Sequence, residues 1–277
     1  MVRRRFSDEP KSSLAVWAIR IALFSLAMSA LSVIIVRSGF LEIVPALATF
    51  AAALVLAALA IVTSFAAFVV IWREGVTGIS YAVGAMFIGM ALVGYPAYLG
   101  YHAYRLPPIT DITTDPADPP RFDVIARVRP RGSNEYRRAA LADKQRVAYP
   151  EIGPLRLAAP AQAAYEAALA VATKHKWSVL DARAPIAGRR DGSIEAVART
   201  PIMGFRDDVA IRIRVVSGGA LVDIRSASRY GLHDFGVNAS RVRGLIEEID
   251  DAIGLLPVEK KEPEKPAQPA KRPPARR

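Results

Sequence analysis

The chain has no cysteine. Disulfides, thiol nucleophiles and thiolate metal sites are therefore excluded, while the redox compartment stays open. Histidine is scarce. His102, His175 and His233 stand far apart, so no metal-ligand spacing exists, and no metal or other cofactor is expected. Phosphate loops and dinucleotide fingerprints are missing as well. Charge is nearly missing from one long stretch: between Leu14 and Tyr104 the charged residues are Arg20, Arg37, Glu42, Arg73 and Glu74. Across all 277 residues, however, 23% are charged and 52% hydrophobic, so the two kinds are segregated along the chain.

The apolar part divides into three candidate membrane spans. Leu14–Val36 is apolar except for Arg20. A span needs about 20 residues at about 1.5 Å each, so this run suffices. It is also longer than the core of a secretory signal, which favours a retained helix. Arg20 lies near enough to the end for its stem to reach the interface. Phe40–Trp72 supplies a second span, with Pro45 in its first turn. Gly78–Tyr101 supplies a third, with Ser80/Gly84 and Ala85/Gly89 as small residues that let helices approach. Tyr95, Tyr98, Tyr101 and Tyr104 mark the exit as an aromatic belt.

The basic N-terminal segment holds Arg3, Arg4, Arg5 and Lys11, whereas the short loops hold Arg37 and Arg73. Basic segments stay cytoplasmic, so three spans would place the rest of the chain outside the cytoplasm. The net charge of +11 suits anionic lipid heads. The expected partners are the lipid bilayer, anionic lipid or an envelope protein, and not nucleic acid.

Five regions follow: residues 1–13, a basic cytoplasmic N-terminus; 14–104, a three-helix transmembrane region; 105–135, a Pro-rich linker; 136–257, a soluble α+β domain; and 258–277, a disordered basic tail. The linker rests on Pro107-Pro108, Pro116 and Pro119-Pro120, and a short strand at Phe122–Arg129 is conceivable within it. The tail is built of Lys, Arg, Glu, Gln, Pro and Ala after Val258. Within the domain, Ala139–Arg146 and Pro160–Lys176 read as helices. Strands are expected at Trp177–Ala182, Ser193–Thr200, Val209–Val216 and Leu221–Ser228, the last two joined by Ser217-Gly218-Gly219. Val237–Leu255 closes as a helix, with Asn238 as its expected cap. The fold class is therefore α+β: three N-terminal transmembrane helices, then helix, four-stranded antiparallel sheet and helix, with the helices on one sheet face.

On Val209–Val215 the odd-numbered residues share a core face and Arg212 and Arg214 point away. With Glu195, Arg199, Asp223 and Arg225 that outer face reads as a solvated checkerboard of ion pairs, or as an anion-binding surface of Arg199, Arg212, Arg214 and Arg225. Asp207 and Asp208 are adjacent on a strand, point to opposite faces and cannot share a proton. The expected role for this pair is to orient the Pro201–Arg206 loop.

Several separated words carry a resemblance. They are Ile194–Pro201, Phe205–Val209, Asp223–Arg229 and Asp234–Arg241, with Asp111–Asp115 and Ala148-Tyr149-Pro150 upstream. Together they resemble the family called domain of unknown function 1499, over about Ile109–Leu255. In many relatives a cysteine-containing word precedes the first helix; Ser133-Asn134-Glu135-Tyr136 stands there instead, so no role of that cysteine carries over. The resemblance implies an envelope or plastid-type protein and supplies no catalytic residues.

The recurring polar set in these words is Arg206, Asp207, Asp208, Arg225, Ser226, Ser228, Arg229, Asp234, Asn238 and Arg241. It is expected to converge near one end of the sheet, either as a ligand-binding site or as a buried network that fixes loops. The leading functional expectation is a bacterial inner-membrane, multi-pass protein whose periplasmic domain binds a small ligand or envelope partner. The alternatives are an envelope hydrolase using Asp207, His233 and Asp234, or an accessory subunit of a membrane complex.

Overall fold

The computed structural model describes residues 10–39, 43–134, 138–186, 188 and 190–255. The basic residues Arg3–Arg5 and the tail after Val258 lie outside the described residues. Three long helices come first: α1 (Ser13–Ser38), α2 (Ile43–Glu74) and α3 (Ile79–Arg105). Each is long and apolar enough to cross a bilayer. Their packing follows the logic of lipid rather than water. The buried positions on α1 are Ala15, Ala18, Ala22, Ser25, Ser29, Ser32 and Val36, in alternating steps of three and four. Facing them are Ala53, Ala57, Ala60, Ser64 and Ala67 of α2 and Ala82, Ala85 and Gly89 of α3. Large side chains such as Trp17, Phe24, Phe65 and Phe87 point outward. Small-in and large-out is stable only where the surroundings are as apolar as leucine. Gly89 shows how close the approach is: an added Cβ would stand 2.6 Å from Ile61 Cγ1 and 3.0 Å from the Ala57 carbonyl oxygen. Ser80 is exposed and outside this seam. Arg20 lays its guanidinium over the Trp17 ring, one turn toward the N-terminus, as a snorkelling side chain should.

The second unit is an antiparallel sheet with more strands than expected. Among the described residues there are six: β1 (Asp111–Thr113), β2 (Leu155–Leu157), β3 (Ser178–Arg183), β4 (Gly192–Arg199), β5 (Arg206–Val216) and β6 (Gly219–Ser228). The order is β1-β6-β5-β4-β3, and β2 also pairs with β6. The two additional strands lie along one edge of β6. β1 pairs with Arg225–Ala227, and β2 with Ala220–Val222. Each is three residues long, too short to display an alternating pattern, and each gains its ladder from β6 rather than from its own sequence. β1 also comes from the stretch read as a spacer, which therefore enters the sheet. Its outer edge is closed by Gln145 of α5 (Arg138–Ala148). The Gln145 amide accepts from Thr113 N at 3.1 Å and donates to Thr113 O at 2.6 Å, replacing a neighbouring strand.

On one face of the sheet lie α6 (Ala161–Lys174) and α7 (Val237–Gly254). Ile194, Val209, Ile211, Ile213, Val222 and Ile224 pack there against Ala164, Ala168, Val171, Val242, Leu245 and Ile249. The other face is not solvated. The segment after β1 crosses it and forms the short α4 (Val124–Val128) in place of the strand read at Phe122–Arg129. Phe122 and Ile125 cover Val197, Ala210 and Ala227. The checkerboard is therefore mostly buried, because alternation identifies the second face but not what will lie over it.

Candidate functional site

The ten polar residues do gather toward one end of the sheet, but the sheet divides most of them into separate networks. On the helix face Arg241, on the second turn of α7, is the hub. Its guanidinium donates to Asp207 Oδ2 and Asn238 Oδ1, both at 2.7 Å, and to Ser226 Oγ at 2.8 Å. Ser226 donates to Asn238 Oδ1 at 2.7 Å, and the Asn238 amide donates to Ser228 Oγ at 2.9 Å and to the Thr110 carbonyl at 3.2 Å. The register explains the gathering. Asp207 pairs with Ser228 and Val209 with Ser226, so those side chains share the face that α7 covers.

Asp234 belongs to the same neighbourhood by another route. Its carboxylate accepts from Gly236 N at 2.9 Å and Asn238 N at 3.0 Å, which makes it the cap of α7. Asn238, the expected cap, instead lies inside the helix and points its amide into the network. Burial pushes the Asp234 carboxyl above the usual aspartate range, against the pull of these N–H donors.

On the opposite face Asp208 is fully buried. Arg229 Nε donates to it at 2.6 Å, and Arg129 Nε lies 3.1 Å from its other oxygen. Arg225 is buried too. It grips Asp111 with both Nε, at 2.9 Å, and Nη2, and it stacks over Phe122. Glu195 of β4 accepts from the backbone N–H groups of Asp123, Val124 and Ile125 at 2.9–3.1 Å, capping α4 from the sheet below. Toward the hairpin, Arg212 joins Asp118 and Asp223, and Arg214 reaches Asp115 and Asp223. Burial pushes the Asp223 carboxyl up in spite of both arginines, while the hydrogen bond from Arg212 holds Asp118 below the usual range. Of the four arginines considered as an anion surface, Arg212, Arg214 and Arg225 already have carboxylate partners, and only Arg199 is exposed.

Two expectations change with this geometry. Asp207 and Asp208 do point to opposite faces, and the contacts across the Pro201–Arg206 loop itself come from Thr200. The Thr200 hydroxyl accepts from Phe205 N at 2.9 Å, and its carbonyl accepts from Gly204 N at 3.1 Å. Nor do Asp207, His233 and Asp234 form a catalytic constellation. His233 Nδ1 accepts from Phe235 N at 2.8 Å, which makes Nε2 the protonated nitrogen that donates to the Leu106 carbonyl at 3.0 Å. Both ring nitrogens are thus occupied by backbone, and Asp207 is held by Arg241. Among the described residues, no group of three or more His, Asp or Glu side chains is placed to hold a metal ion.

Arg206 is half-buried and takes part in neither network; its guanidinium lies against Gly39 at the end of α1. Sequence reasoning missed Glu195 as a cap, Gln145 as an edge strand's partner, and Asp111 and Arg129 as partners across the sheet. The Asp-Ile-Thr-Thr-Asp word at 111–115 was a signal for one of these contacts and for a second beside it. Asp111 binds Arg225, and Thr114 Oγ1 accepts from Ile224 N at 2.9 Å. Among the described residues, two clefts lie elsewhere. One of about 720 Å³ is bounded by Arg156, Leu157, Asp251 and Leu255. A second, of about 470 Å³, is bounded by Pro160, Pro185 and Val215, beside the β5–β6 turn.

The class is now defined: three candidate membrane helices bearing an α+β domain whose polar words build buried ion pairs and caps. Residues 111–249 match the model of the family described as "Protein of unknown function (DUF1499)", and the chain belongs to that family. No curated protein and no solved structure matches the chain.

Proposed function

We propose that this protein is a multi-pass envelope protein of the bacterial inner membrane whose domain lies outside the cytoplasm and binds an envelope partner. The partner is engaged at the end of the sheet remote from the spans. One observation carries this reading: the polar end of the sheet is already engaged by the membrane helices. Arg37 of α1 donates to the Pro201 carbonyl at 2.7 Å and the Ile202 carbonyl at 3.1 Å, and Leu106 meets His233. Accessible clefts remain beside the β5–β6 turn and the end of α7. The ten polar residues then serve as the scaffold that keeps loops and strands in place. A small-ligand site among them stays second, because Arg206, Ser228 and Arg241 retain partial exposure.

The test places a photo-crosslinking residue at Val215 or at Arg206 in the full chain, in cells. Discrete protein adducts from position 215 support the reading. Adducts confined to position 206, or none from 215, overturn it. A phosphatase fused after Leu255 checks the compartment: activity is expected, and a silent phosphatase with a fluorescent cytoplasmic fusion contradicts the orientation.

A further inference from the structure

We infer that the loops 200–205 and 230–234 rest in the headgroup layer of the membrane that the chain spans, so the domain lies on the bilayer instead of standing off it. The starting point is where these loops sit. Both close the same end of the sheet: one precedes β5, the other follows β6, and the backbone joins them through Arg229 N and Arg206 O. Each touches the end of a different membrane helix.

The first contact is reciprocal. Arg37, in the last turn of α1, reaches up and donates to the carbonyls of Pro201 and Ile202. Its stem crosses so near Gly204 that an added Cβ there would stand 2.8 Å from Arg37 Cγ. Arg206 reaches down in return. Its Nη2 would be 2.7 Å from a Cβ at Gly39, the left-handed residue (φ 72°) that ends α1. A cation at a helix C-terminus is favoured by the carbonyl dipoles exposed there. The second contact follows α3. That helix ends at Arg105, His233 donates to the next residue's carbonyl, and a Cβ at Gly236 would meet Leu106 Cδ1 at 2.9 Å.

These contacts bring apolar side chains to the level where the spans end. Leu232 is 87% exposed and Ile202 44% exposed. Tyr104, two residues before the Leu106 that His233 meets, is itself 88% exposed. Exposed leucine and isoleucine at that height, with Arg37 bound to the 201 and 202 carbonyls and Arg206 against the end of α1, match an interface of acyl chains below and anionic phosphates above. The bilayer is the occupant because the same chain already crosses it at both contact points.

Absence of cysteine makes the test clean. Single-cysteine variants Ile202→Cys, Leu232→Cys, Tyr104→Cys and Val215→Cys are labelled with an environment-sensitive fluorophore. The full chain is placed in nanodiscs of phosphatidylethanolamine and phosphatidylglycerol containing brominated acyl chains. Val215 lies at the far end of β5, about 30 Å away at roughly 3.3 Å per strand residue. Labels at 202 and 232 are expected to be quenched nearly as strongly as at 104, and far more than at 215. Arg37→Ala in the Ile202→Cys background should weaken quenching at 202. Quenching at 202 and 232 no greater than at 215 overturns the proposal. Each labelled side chain is exposed, so none of these substitutions opens the core.

Discussion

Asp207 and Asp208 are consecutive residues held by arginines on opposite faces of one sheet. Asp207 takes Arg241 of α7 at 2.7 Å, and Asp208 takes Arg229, just past β6, at 2.6 Å and Arg129, just past α4, at 3.1 Å. What reads as an acidic pair is thus two separate bolts, one fastening the closing helix and one fastening the cover over the other face.

The first prediction concerns the helix-face bolt. Arg241→Ala strands a buried carboxylate, and breaking such a pair typically costs about 3–5 kcal/mol. The double variant Asp207→Leu/Arg241→Met should recover much of that loss. Urea denaturation of the full chain in detergent, followed by a double-mutant cycle, measures the coupling. Equal destabilisation in the single and double variants contradicts a structural pair.

Glu195 is expected to matter although it is buried. Glu195→Ala removes the acceptor of three backbone N–H groups at the start of α4, that of Ile125 buried. Leaving one such donor unsatisfied costs about 1–3 kcal/mol. Amide exchange should then accelerate first at Asp123–Ile125, ahead of the β4–β5 ladder. Unchanged protection there argues against the cap.

The pH dependence has a definite sign at Glu248. The hydrogen bond from Lys174 is the main reason its carboxyl is held below the ordinary 4.5, and His175, 2.7 Å away, adds to it. A depressed folded-state value means stability that is fully present above the unfolded value and lost as pH falls through the folded one. The domain should therefore weaken as pH drops below the usual glutamate range, and Glu248→Gln should flatten that limb. Trp177, which stacks on His175, gives the fluorescence readout in a background of Trp17→Phe and Trp72→Phe. An identical acid limb in wild type and Glu248→Gln counts against the linkage.

Much of the fold was legible, and the reasons differ by element. The three apolar runs stood out because bilayer thickness imposes a length that few other structures need. α6, α7 and the long strands β4 to β6 carried their periods in full, since each buries a whole face of several residues. β1, β2 and α4 did not. Each is five residues or fewer, and each borrows its hydrogen bonds from a distant segment: β6 for the two strands, Glu195 for the helix. The candidate site was legible as residues but not as an arrangement. Sequence words named Asp208, Arg225, Ser226, Arg229, Asn238 and Arg241, yet Arg129 and Asp111, the partners of Asp208 and Arg225, lie far upstream, beyond any local pattern.

By itself the sequence determined where the chain can meet lipid, which stretches alternate, and that Asp207 and Asp208 must diverge; those follow from helix rise and the two-residue period of a strand. Tertiary structure alone decided that the charged face is covered, that Glu195 caps a helix, and that Arg37 meets the domain. Such outcomes depend on which distant segment brings its unmet hydrogen-bonding groups to a given place, and no local spacing encodes that.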